Sequence, residues 1–218
     1  MRTIIFLLAA TFIAGCATVS PYDEMQADVD QAAAIVERFE AIPEKGIPPA
    51  VMRAARGIAI VTVTKAAFIG SARGGRGVVV ERTGNGWSGP SAIGTGGIGA
   101  GLQAGVEVTE FVIVLNTPAA VDAFAKQANV TLGGNLSVAA GPVGRTAEAG
   151  VGLQAAVYTY SRSQGLFAGV SLEGTVIATR DGVNAAYYGE PIKAGEILSG
   201  KVQPPAGAGR LLAVLSKY

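Results

Sequence analysis

Residues 87–105 read WSGPSAIGTGGIGAGLQAG, with seven glycines in nineteen positions and Gly86 just ahead as an eighth. Each interior glycine weakens a helix by roughly 1 kcal/mol against alanine, so the stretch is poor helix material. It is also too apolar for an open loop, because Ile93, Ile98, Leu102 and Val106 are interleaved with the glycines. Strand-like backbone remains, packed by neighbours where side chains would not fit. Gly94, Gly96 and Gly99 do match the dinucleotide fingerprint GxGxxG. That fingerprint requires a helix next, with pyrophosphate at its N-terminus, and Ala100 to Glu107 carries two further glycines. The stretch is therefore read as a strand.

Outward from it, the same reading extends along the chain. Ile58 to Val63 is a β-branched run typical of a buried strand, and Val78 to Arg82 is another. Between them, Gly70 to Gly77 reads as a basic glycine-rich turn holding Arg73 and Arg76. Asn85-Gly86 is a hairpin signal, since both residues accept positive φ at low cost. Thr109 to Leu115, Leu136 to Ala140, Ala155 to Ser161 and Phe167 to Arg180 read as further strands, with turns at Gly141-Pro142, Gly165 and Asp181-Gly182. The last strand candidate ends at Tyr187-Tyr188-Gly189. Helical spacing marks Asp28 to Ile42, where Val29, Ala32, Ala33, Val36 and Phe39 share a face, with Pro21 to Met25 as a linker before it. A short helix follows Pro48-Pro49. Thr117 caps another that begins at Pro118 and is closed by Asn129. Ala194 to Leu198 and Gly209 to Lys217 complete the helices. The expected fold is α+β and β-rich: a curled or barrel-like antiparallel sheet with N-terminal helices, one inserted helix and a C-terminal helix.

The N-terminus carries a different signal. Arg2, the apolar run Ile4 to Ala14 and the small residues before Cys16 describe an export signal rather than a membrane span. Ile13-Ala14-Gly15-Cys16 resembles the lipobox of bacterial lipoproteins, which implies cleavage before Cys16 and lipidation of that residue. Residues 1–15 are then the signal peptide, 16–27 a lipidated linker and 28–218 the domain. Ala17 in place of Asp points to outer-membrane sorting, with the domain facing the periplasm. Cys16 is the sole cysteine, so no intramolecular disulfide can form.

Charge is segregated. Asp23, Glu24, Asp28, Asp30, Glu37, Glu40 and Glu44 face only Arg38 between residues 17 and 44, whereas residues 45–218 hold fifteen Lys and Arg against nine acids. A basic domain behind an acidic arm is compatible with anionic headgroups and equally with an ordinary solvated surface. The sparse basic runs and the export signal argue against nucleic acid. Histidine is absent and Cys16 is committed to lipid, which leaves little for general-base or nucleophilic catalysis. No enzyme activity, metal or cofactor is expected. Glu107 and Glu110 read as a solvated edge, and Asp122 and Asp181 as structural.

Several separated blocks then agree with one pattern: Ala55 to Ile60, Trp87 to Ser91, Gly101 to Gly105, Gly141 to Gly144, Tyr158 to Ser161, Gly165 to Gly174 and Asn184 to Gly189. In order and spacing they resemble the SYLF domain family, over about residues 35–215. The resemblance implies a lipid-binding module, with phosphoinositide binding and, in some fungal members, actin binding among its eukaryotic forms. The acidic N-terminal helix and the lack of an attached partner-binding domain argue against actin here. For a phosphate headgroup, Arg73 and Arg76 among glycines are the first candidates, followed by Lys65, Arg82, Arg145 and Arg162. Trp87, Phe167, Tyr187 and Tyr188 are candidates for apolar contact or for plain core. The function expected is that of an outer-membrane-anchored lipoprotein binding anionic phospholipid. The alternative is an envelope lipoprotein that docks a protein and touches lipid only through its acyl anchor.

Overall fold

The computed structural model describes residues 19–42, 46–67, 70–100, 105–126, 129–131, 138–141, 155–165 and 175–218. Its centre is an antiparallel sheet of β1 (Gly57–Ala67), β2 (Gly70–Thr83), β4 (Ser91–Ala100) and β5 (Gly105–Leu115). β8 (Val157–Gly165) and β9 (Val176–Thr179) flank it, with β6 (Asn129–Thr131) and β7 (Val138–Ala140) outermost. The order is β6-β9-β4-β2-β1-β5-β8-β7, and the two-residue β3 (Gly86–Trp87) pairs with β2. Among the described strands the path runs open from β6 to β7, so the sheet is not closed into a barrel. Among the described strands, only β7 pairs in parallel, with β8.

Strand alternation divides the sheet into two apolar faces. Ile58, Ile60, Val78, Val80, Val112 and Val114 lie on one face, under α1 (Pro21–Glu40), α2 (Pro49–Ala54), α4 (Asp181–Tyr188) and α6 (Gly209–Leu215). Ala59, Val61, Val63, Val79, Phe111 and Ile113 lie on the other, against α3 (Pro118–Lys126) and Leu198 of α5 (Ala194–Leu198). The strands are apolar on both faces because both are covered.

The glycine stretch is a strand. Gly94, Gly96 and Gly99 fall within β4, paired to β2 and not at a strand-to-helix turn. On β2, a Cβ at Gly77 would collide with the Ile60 carbonyl oxygen of β1, so that position tolerates only glycine without a backbone shift. Asn85-Gly86 makes the expected hairpin, with Gly86 at φ 117°. Thr117 accepts the Ala120 amide at 3.1 Å, as an N-cap should.

Four boundaries differ from the sequence reading. Pro21 to Met25 is not a linker but the first turn of α1: Ser20 accepts the Asp23 amide, and Asp23 and Glu24 complement the helix dipole. Gly70 to Gly77 is not a turn; it pairs with both β1 and β4 along its length. Asp181 to Tyr188, expected as a turn and a strand end, is a helix ended by Gly189 at φ 79°. Asn129 opens β6 instead of closing α3.

Candidate functional site

α1 lies across the sheet and binds it through charge as well as through its apolar face. Arg180 Nη2 donates to both oxygens of Glu24 at 2.9 Å, and Arg76 Nη1 donates to Glu24 Oε1 at 3.0 Å. Arg76 Nε sits 2.7 Å from Asp28 Oδ1, and Arg180 Nη1 is 3.8 Å from Asp28 Oδ2. Glu24 and Asp28 are one helical turn apart, so one face of α1 presents both carboxylates to the two guanidiniums. These four residues line a cleft of about 770 Å³ with Thr62, Thr64, Thr95 and the glycine floor Gly74-Gly75.

Electrostatics differ sharply between the two acids. The Arg180 guanidinium, helped by Arg76, holds Glu24 below the ordinary glutamate range. Asp28 is only 6% exposed, and burial pushes its carboxyl up to about 6 despite Arg76 and Arg180. Its Oδ2, together with Arg180 Nη1 and Thr95 Oγ1, has no hydrogen-bond partner among the described residues.

The rest of α1 repeats the pattern. Arg38 donates to Glu110 at 2.6 and 3.2 Å, with Arg162 4.0 Å from the same carboxylate. Arg210 meets Glu37 at 2.7 Å, and Lys217 meets Glu40 at 3.0 Å. The acidic arm of the sequence is thus folded onto basic residues of the domain.

The expected site residues therefore separate. Arg76 is engaged with α1. Arg73, three positions earlier on the same strand, projects from the opposite face, so the two arginines do not form one site. On that opposite face Arg73 stands directly beside Lys65 in the β1–β2 register, and Lys65 stands beside Glu107 in the β1–β5 register. Arg73 Nη1 is 3.4 Å from Thr175 Oγ1, and its side chain lies over Gly97. Arg162 belongs to the Glu110 group.

Arg82 anchors backbone, donating at 3.0 Å to the carbonyls of Ala55 and Met52 while its guanidinium stacks 4.2 Å from the Trp87 ring centroid. Trp87 donates to Leu215 O, Tyr187 to Gln26 and Tyr188 to Pro90 O, all three packed in the α1-side core. Glu107 is buried within the sheet and is not a solvated edge. Cys16, Arg145 and Phe167 lie outside the described residues.

Glu24, Asp28 and Arg180 were not singled out from the sequence as site residues. The i, i+4 acids on a helix were the available signal; Arg180, read as a strand end, offered none. Among the described residues no group of three potential metal ligands sits together, and no helix is long and apolar enough to cross a membrane.

A family profile described as Ysc84, "Las17-binding protein actin regulator", matches residues 96–218, more than half of the chain. The chain belongs to the Ysc84 family of SYLF-domain proteins. It is 47% identical over 202 residues to the human SH3 domain-containing YSC84-like protein 1, which covers 89% of this chain and 59% of that protein. It is 50% identical over 174 residues to LAS seventeen-binding protein 3 of Saccharomyces cerevisiae, covering 78% of this chain and 38% of the relative. An SH3 domain-containing protein of Schizosaccharomyces pombe is 52% identical over 175 residues, with 78% and 41% covered. The chain thus spans less than two thirds of these relatives. The family description includes actin regulation, so the sequence argument against actin gains no support from it.

Proposed function

We propose that this Ysc84-family domain is a non-enzymatic module that binds anionic phospholipid, held at the outer membrane of a bacterium by lipid on Cys16 and facing the periplasm. The observation that carries the reading is the side-by-side placement of Lys65 and Arg73 on β1 and β2. The two side chains offer ammonium and guanidinium donors side by side, and a headgroup phosphate spanning them accepts charge-assisted hydrogen bonds from both. The buried Thr175 hydroxyl, accepting from Arg73 Nη1 at 3.4 Å, helps to position that guanidinium. On the other face, the carboxylates of Glu24 and Glu110 are held by guanidiniums, which suits structural work rather than proton transfer.

Ser20, the helix cap, is four residue steps from Cys16, a reach of at most about 14 Å. A lipidated Cys16 therefore keeps the start of α1 close to the bilayer.

The test is vesicle co-sedimentation of the mature chain carrying Cys16→Ser, at low and high salt, beside a Lys65→Ala/Arg73→Ala variant. Each cation near an anionic surface contributes about 1 kcal/mol, so the double variant is expected to bind phosphatidylglycerol vesicles roughly 30-fold more weakly. Absence of binding to any vesicle by the parent chain overturns the reading and leaves Cys16 as the membrane contact.

A further inference from the structure

The opposite end of the central strands carries a second basic cluster. Arg53 lies in the last turn of α2, Arg56 directly precedes β1 and Arg82 is near the end of β2. Arg53 and Arg56 are exposed. Arg82 is fixed against the same segment: its Nε and Nη2 donate to the carbonyls of Ala55 and Met52, the residues next to Arg56 and Arg53. Burial, and after it the Arg56 charge, holds the Arg82 guanidinium below its ordinary range.

Many cations elsewhere on the molecule meet acids. Arg38, Arg76, Arg162, Arg180, Lys193, Arg210 and Lys217 each have a carboxylate within 4.0 Å. Among the described residues, no such pair involves Arg53, Arg56 or Arg82. Glu81, the acid nearest in sequence, projects from the other sheet face by strand alternation.

We infer that Arg53, Arg56 and Arg82 form a docking surface for an acidic protein segment. Two observations select that occupant. First, Gly57 and Lys65 are eight residues apart on β1, about 27 Å at strand rise. That exceeds the roughly 8 Å screening length of physiological salt several-fold. A flat bilayer resting on Lys65 and Arg73 does not reach this end; the orientation rests on the lipid reading above. Second, the chain shows how its arginines take acids from a helix: Glu24 and Asp28, one turn apart, receive Arg76 and Arg180. The exposed forks of Arg53 and Arg56 suit carboxylates presented in the same way, with Arg82, held on the Ala55 and Met52 carbonyls, as a fixed positive charge beside them.

The probe is a fluorescein-labelled helical peptide with Glu pairs four residues apart, with a Gln-substituted peptide as control. It is titrated by fluorescence anisotropy into the mature Cys16→Ser chain, into Arg53→Glu/Arg56→Glu and into Lys65→Ala/Arg73→Ala. Both reversed side chains are exposed, and thermal melts check that the fold is kept. The parent is expected to bind the Glu peptide and not the Gln peptide. Arg53→Glu/Arg56→Glu should weaken that binding at least tenfold while vesicle binding is unchanged, and Lys65→Ala/Arg73→Ala should do the reverse. Equal affinity for both peptides, no peptide binding by the parent, or loss of vesicle binding in Arg53→Glu/Arg56→Glu overturns the inference. Peptide binding retained without any vesicle binding removes the lipid reading and leaves the acidic-segment site standing.

Discussion

Asp28 shows how far a single carboxylate can sit from its expected role. In the sequence it is one acid in an acidic arm; in the fold it is buried against Arg76 and Arg180, with one oxygen lacking a hydrogen bond among the described residues. Burial outweighs both arginines, so the folded carboxyl titrates near 6, above its ordinary value of 3.8. A raised folded value means that the native state binds the proton more tightly than the unfolded chain does. Its contribution is fully present below pH about 4 and is lost as pH rises through about 6. Two units correspond to roughly 3 kcal/mol. Glu24 has the opposite sign: its depressed value adds stability above the ordinary glutamate range and loses it on acidification. Asp28→Asn is therefore expected to melt at or above the parent temperature at pH 8, with the two curves converging near pH 4. Thermal unfolding across pH 4–8 checks this, and a variant that melts well below the parent at pH 8 would show that the Arg76 pair outweighs desolvation. None of this was legible from residue type alone, because desolvation depends on what α1 is pressed against.

At the scale of elements, the reading succeeded where backbone chemistry decides and failed where tertiary packing decides. Glycine-rich strands, the Asn-Gly hairpin and the Thr117 cap follow from local rules, and the structure has all three. Asp181 to Tyr188 carries conflicting local signals: Ala185 and Ala186 favour a helix, whereas Tyr187 and Tyr188 favour a strand. What fixes the helix is Asn184, fully buried, whose Oδ1 accepts the Ala92 amide at 2.7 Å and whose Nδ2 donates to Ser91 Oγ. That side chain completes the edge of β4 from the neighbouring helix. Asn184→Ala leaves a buried amide without an acceptor and is expected to cost about 2–3 kcal/mol. Chemical denaturation with an unchanged slope against denaturant would support that account; a loss under 0.5 kcal/mol would mean that water replaces the side chain. The start of α1 failed differently. Pro21 looks like a break, yet proline is welcome in a first helical turn, and Ser20 caps it. Ser20→Ala should lower stability by about 1 kcal/mol.

On the scale of the whole molecule, the charge asymmetry was visible in the sequence but its meaning was not. An acidic arm beside a basic domain reads as a free basic surface until the arm is seen lying on it. The cations that answer α1 are Arg76, Arg180, Arg210 and Lys217, scattered over more than 140 positions, and no spacing rule connects them. Which forces hold α1 down decides how the protein responds to salt. Met25, Val29, Ala32, Ala33, Ile35, Val36 and Phe39 are buried to within a few per cent, and large apolar side chains contribute roughly 1.5–3 kcal/mol each. The largely exposed Arg210 and Lys217 pairs contribute little and weaken with salt. Apolar burial therefore dominates, and α1 is an integral layer of the domain rather than an electrostatic lid. Raising salt to about 1 M should abolish vesicle binding through Lys65 and Arg73 while amide protection along α1 persists, because only the first depends on screened charge. Hydrogen exchange of the vesicle-free chain at both salts reads the helix, and co-sedimentation reads the membrane. Protection of α1 that collapses together with vesicle binding would mean that charge holds the helix in place, and Arg76 and Arg180 would then return as headgroup ligands uncovered when it lifts.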